Sequence, residues 1–144
     1  LDIDSKSVYE FNRIRKNFAH VADATKLNYL DFCISNSFEP KFDYLSVDID
    51  PSYQSYFALR NLMRDGVHFS TITFEHDKYR SGPLVQIASF LLLNRAGYVR
   101  VAKNIQAKGF GKYEDWWAAK NSFHFDEMKE IKAGVMLIRQ ELQV

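Results

Sequence analysis

The sequence predicts an α/β domain built on a mostly parallel β-sheet with helices on both faces. Strand-like and helical segments alternate along the chain, a pattern typical of parallel sheets with helical crossovers. The strand segments are short and apolar, as in FSTITF at residues 69–74, which suits strands buried on both faces. The chain has 144 residues, enough for one sizeable core and too few for two. We therefore expect a single domain over residues 1–144.

The individual elements follow from periodicity and end signals. The predicted strands lie at residues 1–4, 18–22, 42–47, 69–74, 98–105 and 113–118. The predicted helices lie at residues 6–16, 28–35, 53–63 and 84–96, the first capped by Ser5 or Ser7 and the last closed by Gly97. The last two strands are joined by a loop that holds Gly109 and Gly111, which predicts an antiparallel hairpin.

Residues 121–144 are predicted to form a C-terminal helical extension. Apolar residues recur there at spacings of three and four, namely Met128, Ile131, Val135, Ile138 and Leu142. We expect this stripe to pack on the domain, with pairing between two subunits as the alternative.

Composition excludes several classes of protein. Apolar residues make up 47% of the chain and aromatic residues 15%, which argues against disorder. The 19 basic and 18 acidic residues nearly cancel, so no bulk nucleic-acid binding is expected. Neither a signal peptide nor an apolar run long enough for a membrane span is present. The single cysteine, Cys33, is expected to be a buried thiol, and the protein to be soluble and cytoplasmic.

Acidic residues follow four of the predicted strands. They are Asp2 and Asp4, Asp23, Asp48 and Asp50, and Glu75 and Asp77. In open α/β sheets, ligands bind beyond the carboxyl ends of the strands. We therefore expect these acids to gather at the ligand-bearing edge of the sheet.

Several of these residues have a second interpretation. Asp50 lies directly before Pro51 and could cap the following helix, whereas Asp48 is better explained by ligand contact. His76 could act as a general base or be hydrogen-bonded within a loop. Residues 78–81 could receive an anionic or sugar-like acceptor or form a solvated loop. Asp48 with Glu75-His76-Asp77 could hold a divalent cation, but no HxxxH or HxH spacing supports one, and we assign no metal.

The succession LDIDSKSVYEFNRIRKN, HVADAT, DYLSVDIDPSY, TITFEHDKYRSGP, GYVRV and YEDWW resembles FkbM-like S-adenosylmethionine-dependent methyltransferases, from Leu1 to about Trp117. The resemblance implies a Rossmann-like sheet of the class I methyltransferase type. It also implies methyl transfer from S-adenosylmethionine to an oxygen of a small molecule or glycan. By resemblance, Asp4 (or Asp2) holds the ribose hydroxyls of the cofactor. Asp23, with Ala24 in the ADAT turn, accepts a hydrogen bond from the adenine amino group of the cofactor.

The same resemblance places the acceptor at the next two strand ends. Asp48, Glu75 and His76 would carry the acceptor chemistry. The residues expected to bind the acceptor are Asp50, Tyr53, Asp77 and Arg80.

The chain departs from the family pattern at its start. The family's first strand and glycine-rich loop have no counterpart in these residues. The GxG at Gly109-Phe110-Gly111 joins two late strands and is interpreted as a turn. We therefore expect an N-terminally truncated domain, or a sheet completed by another strand or a second subunit.

Two other functions stay open. One is an N-methyltransferase of the same fold, because Asp50-Pro51-Ser52-Tyr53 faintly resembles an acidic-Pro-Pro-aromatic loop. The other is a non-catalytic binding or interaction domain.

Overall fold

The computed structural model describes residues 4–14, 19–106 and 111–123. The helices are α1 (Ser5–Ile14), α2 (Tyr29–Ser35), α3 (Ser52–Arg64), α4 (Lys78–Ser81) and α5 (Leu84–Arg95). The strands are β1 (Lys41–Val47), β2 (His68–Glu75), β3 (Tyr98–Ile105) and β4 (Glu114–Ala119). Three predicted features lie wholly or partly outside the described residues: residues 1–3 of the strand predicted at 1–4, the end of the first predicted helix, and the stripe from Met128 to Leu142.

The described strands form one mixed sheet in the order β1-β2-β4-β3. Strands β1 and β2 are parallel, and α3 supplies the crossover that such a pair requires. Strand β4 inserts between β2 and β3 and is antiparallel to both. The α/β class and the antiparallel C-terminal hairpin are confirmed. Of the predicted mostly parallel sheet, the described strands show one parallel pair, β1–β2, and two antiparallel pairs, because β4 lies between β2 and β3.

The core lies between this sheet and helices α3 and α5. The two helices pack against each other, α3 also contacts β1 and β2, and α5 contacts β3. Along β2, Ile72 and Phe74 are buried and Thr73 between them is half-buried, as strand periodicity requires. The largest fully buried apolar side chains are Trp117, Phe74, Leu59, Ile72 and Leu93. Gly97 follows α5 with a φ of 89°, which confirms its predicted place after the helix.

The short strand predicted at residues 18–22 is wrong for its described part, residues 19–22. Only Val21 forms an isolated bridge there. The side chain of Asn12 accepts from the backbone N–H of Ala19 at 2.6 Å and donates to its carbonyl at 3.0 Å. An amide side chain thus takes the backbone bonds that a sheet partner would have taken.

The predicted cap of α1 by Ser5 or Ser7 is wrong, and the interpretation of Asp50 as a cap of α3 does not hold. Helix α1 is capped by Asp4, whose carboxylate accepts from the backbone N–H groups of Lys6 at 3.2 Å and Ser7 at 3.0 Å. At α3 the residue before the helix is Pro51, and Asp50 lies one position too early to cap it. Ser55 instead holds the turn, since its hydroxyl accepts from the N–H of Ile49 at 2.8 Å.

Among the described helices, none has both the length and the apolar character needed to cross a bilayer.

Candidate functional site

A cavity of about 420 Å³ lies at the carboxyl ends of β1 and β2. The parallel register places Val47 opposite Phe74, so the next residues along each strand, Asp48 and Glu75, come to the same edge of the sheet. This cavity, the acidic cavity, is lined by Asp48, Asp50, Glu75, Asp77, Tyr79, Arg80 and Tyr113. The structure therefore brings together the predicted acids of these two strand ends.

Glu75 is the most strongly perturbed acid in this cavity. Burial, the nearby charge of Asp48 and then that of Asp77 raise its pKa from 4.5 to about 8. At neutral pH Glu75 therefore keeps its proton in most molecules, yet it ionises close to neutrality. A carboxyl group in this state can donate or accept a proton under physiological conditions.

Asp77 is buried beside Glu75. Its backbone is left-handed, with φ 45° and ψ 42°, and its side chain is 9% exposed. Its position is fixed because the backbone N–H groups of His76 and Asp77 both donate to the carbonyl of Tyr113, at 2.7 and 3.1 Å. Oδ1 of Asp77 accepts no hydrogen bond from any part of the chain that the structure describes. A buried carboxylate oxygen without a donor is uncommon and costly in a folded protein.

Arg80 neutralises these acids only weakly. Its Nη1 lies 3.6 Å from Oδ1 of Asp50 and 3.7 Å from Oδ2 of Asp77, and its side chain is 55% exposed. Exposed pairs at such distances contribute little, because solvent screens them. Asp50 thus contributes an ion pair at the rim of the cavity.

His76 does not reach this cavity. It is fully buried, and its Nδ1 accepts from the backbone N–H of Lys78 at 3.1 Å. A neutral ring therefore carries its proton on Nε2, which lies 3.3 Å from Oδ1 of Asp115. This geometry favours the interpretation of His76 as a residue hydrogen-bonded within the fold over the general-base hypothesis.

Asp115 is the centre of a buried polar network that the sequence analysis missed. Its carboxylate accepts from the N–H of Asn104 at 2.7 Å, from Nε2 of Gln86 at 3.1 Å and from Nη1 of Arg100 at 3.0 Å. The sequence signal for this network was Asp115 within the largely buried strand EDWWAA, because a buried charge requires partners.

The acids expected to bind cofactor lie elsewhere. Asp4 is exposed, caps α1 and does not line the acidic cavity. Asp23 closes a turn, and hydrogen bonds from Lys26 and Thr25 lower its pKa to about 2. Its neighbour Ala24 lines a second, mainly apolar groove of about 250 Å³ that also reaches Asp48.

Tyr53, expected to contact the acceptor, is 53% exposed on α3 and packs its ring edge-on to Phe57. It does not line the acidic cavity.

A larger opening of about 750 Å³ lies at the opposite edge of the sheet, beside Lys41, His68 and Lys120. Size alone would favour it as the site. We favour the smaller cavity, because it lies at the carboxyl ends of parallel strands and contains the perturbed Glu75.

The raised pKa of Glu75 predicts how stability depends on pH. Between about pH 4.5 and about pH 8 the folded protein holds a proton on Glu75 that the unfolded chain has released. The free energy of unfolding should therefore fall as pH rises through this window. Over this pH range, the free energy of unfolding should fall by about 1–2 kcal/mol less in Glu75→Gln than in the wild type. Solvent screening at the open cavity keeps this difference small.

Urea denaturation at about pH 5 and about pH 9 measures this effect. The matched control is Glu39→Gln, on an exposed residue outside the cavity, which should leave the wild-type pH dependence unchanged. An identical pH dependence in wild type and Glu75→Gln would contradict the assignment.

The described residues contain no group of three histidine, cysteine or acidic side chains placed to hold a metal ion. Comparison with models of protein families, with curated proteins and with solved structures finds no match for this chain.

Proposed function

We propose that this chain is part of an S-adenosylmethionine-dependent methyltransferase and that the acidic cavity receives a hydroxyl acceptor on a small molecule or glycan. The observation that carries the proposal is Glu75, held between Asp48 and Asp77 with a pKa of about 8. The parallel β1–β2 pair and the antiparallel β3–β4 ending agree with the sheet that the sequence resemblance implies.

Glu75 would act as the base. Its ionised carboxylate would take the proton of the acceptor hydroxyl. The sulfonium donor, when bound, would supply an electrophilic methyl group to the acceptor oxygen, and the electron pair of its broken S–C bond would stay on sulfur. Burial, together with the charges of Asp48 and Asp77, keeps the pKa of Glu75 near neutrality, so that both its protonation states are accessible during turnover.

The groove beside Ala24 fits the adenine portion of the donor. Its walls include the rings of Tyr29 and Phe42, which offer flat apolar surface. The hydroxyl of Tyr29 donates a hydrogen bond to the carbonyl of Ala24 at 2.7 Å, which fixes the position of this ring in the wall of the groove. Asp23 precedes this wall and would accept from the adenine amino group.

Calorimetry with S-adenosylhomocysteine tests the proposal. We expect a dissociation constant on the order of 1 mM or tighter. Asp23→Ala should weaken binding about tenfold, because it removes the carboxylate that would accept from the adenine amino group.

Lys26→Ala is the matched control. It removes the 2.8 Å ion pair of Asp23 but keeps the carboxylate, and it should bind as the wild type does. Absence of binding at millimolar ligand would exclude the proposed cofactor. Equal affinity in wild type and Asp23→Ala would exclude the adenine assignment.

A further inference from the structure

The outer faces of α3 and α5 carry exposed apolar side chains at helical spacing. These side chains are 43–75% exposed, and they are Tyr53, Phe57, Leu84, Ile87 and Leu91. Spacings of three and four residues place each set on one face of its helix. Helix α5 buries the polar residues Gln86 and Ser89 instead. An exposed apolar surface of this kind marks a site of interaction.

The two faces lie side by side and end in arginines. Helix α3 connects the parallel strands β1 and β2, and α5 connects β2 to β3, which are both antiparallel to β4. The helices therefore run in the same direction, and they pack against each other. The hydroxyls of Ser52 and Ser81 lie 2.9 Å apart, so the apolar starts of the helices are neighbours. Helical spacing continues the two faces to Arg64 and Arg95 at the other end.

The charges on these helices are all basic. Neither α3 nor α5 contains an acidic residue. Arg64 is paired with Asp65, whereas Arg60 and Arg95 are exposed and have no acidic partner in the part of the chain that the structure describes. Two copies of this surface would place arginine against arginine or against apolar residues. The surface therefore suits a partner with an apolar stripe and an acid at one end.

Residues 126–142 of the same chain, which lie outside the described residues, have this pattern in sequence. From Glu127 the predicted stripe runs through Ile131, Val135 and Ile138, at spacings of four, four and three. Read backwards from Arg95, α5 presents Leu91, Ile87 and Leu84 at the same spacings. In an antiparallel arrangement the acid thus meets the arginine, and each apolar residue meets an apolar residue.

The last described residues lie where such a segment would begin. The backbone N–H of Lys120 donates to the carbonyl of Gly97 at 3.0 Å, two residues after Arg95. Residues 121–126 can therefore reverse the chain beside the end of α5. A helix over residues 126–142 would be about 25 Å long, and the 12 residues of α5 span about 18 Å, so the segment can cover the outer face of α5.

We infer that residues 126–142 form a helix that docks antiparallel on the outer face of α5, beside α3. Glu127 lies at Arg95, and the apolar stripe covers Leu91, Ile87 and Leu84. The docked helix runs towards α4, which carries Arg80 at the rim of the acidic cavity. This docking does not depend on the proposed function.

Cross-linking of paired cysteines tests the inference on the whole chain. Cys33, the only cysteine, is first replaced in Cys33→Ala. The matched pairs are Leu91→Cys with Ile131→Cys and Leu84→Cys with Ile138→Cys. The crossed control is Leu91→Cys with Leu142→Cys, whose positions would lie about 16 Å apart along the helices. A short bismaleimide should link the matched pairs within one chain about tenfold faster than the crossed pair, because docking raises their effective concentration.

Hydrogen exchange gives a second measurement that needs no cysteine. Ile87→Asp places a charge in the centre of the docking surface and should speed amide exchange in residues 127–138 about tenfold. Tyr44→Asp makes a comparable change on an exposed residue of β1 and should leave that exchange unchanged.

Equal cross-linking of the matched and crossed pairs would overturn the inference. Links between two chains in place of links within one would also overturn it, because the occupant would then be a second copy. If Ile87→Asp left the exchange of residues 127–138 unchanged, or Tyr44→Asp accelerated it equally, the segment would not dock on α5.

Discussion

Replacement of Asp115 by alanine is expected to lower the free energy of unfolding by about 3–5 kcal/mol. Asp115 is fully buried and accepts hydrogen bonds from Gln86 on α5 and from Arg100 and Asn104 on β3. Without its carboxylate, the Arg100 guanidinium, whose side chain is 21% exposed, loses its partner at 3.0 Å. The Gln86 amide and the N–H of Asn104 lose theirs as well. Unpaired polar groups in the interior carry a large desolvation cost.

Chemical denaturation followed by circular dichroism measures this loss. Asp115→Asn keeps an oxygen for the N–H of Asn104 and should be less destabilised than the alanine variant. Asp43→Ala, on an exposed residue, serves as the control and should change stability by less than about 0.5 kcal/mol. A loss below about 1 kcal/mol in Asp115→Ala would show that the network does not stabilise the fold.

The network also predicts behaviour in acid. Burial would raise the pKa of Asp115, but hydrogen bonds with His76, Asn104 and Gln86 outweigh burial and hold it below its usual value of 3.8. The stabilisation is therefore complete above pH 3.8 and lost as pH falls through the lowered pKa. The stability difference between wild type and Asp115→Asn should shrink in strong acid.

The sequence predicted strands β1 to β4 and the acidic ends of β1 and β2 well, because local signals determine both. Apolar β-branched and aromatic runs favour strands wherever they occur, and parallel pairing then brings Asp48 and Glu75 to one edge. The mixed character of the sheet was not predictable in the same way. It depends on where β4 inserts, and the order of strands is a long-range property.

Residue type alone does not predict which members of the run Glu75-His76-Asp77 line the acidic cavity. Glu75 and Asp77 line the cavity, whereas His76 between them is buried against Asp115. Successive residues of an extended chain point to opposite sides, so a strand end of three polar residues offers at most two to one cavity. His76 and Asp115 are 39 positions apart, and only the folded sheet reveals their contact.

Glu75→Gln is expected to reduce methyl transfer by about 10²- to 10⁴-fold, the usual contribution of a positioned general base. Glutamine keeps the size and polarity of the side chain but cannot accept the proton of an acceptor hydroxyl. Transfer of labelled methyl groups from S-adenosylmethionine to a panel of hydroxylated small molecules and glycans measures the rate. The wild-type rate should rise with pH to a plateau above the Glu75 pKa of about 8, since only ionised Glu75 acts as the base.

The control is Glu114→Gln. Burial also raises the pKa of Glu114, but its side chain is hydrogen-bonded to Trp116 and does not line the acidic cavity. This variant should keep the wild-type rate within about threefold and keep the rise in rate towards about pH 8. The Glu75→Gln variant should lose that rise. If Glu75→Gln retained both the rate and the pH profile, the base would have to be another group. The acidic cavity would then act in binding alone, with the carboxyl of Glu75 serving as a ligand for the acceptor.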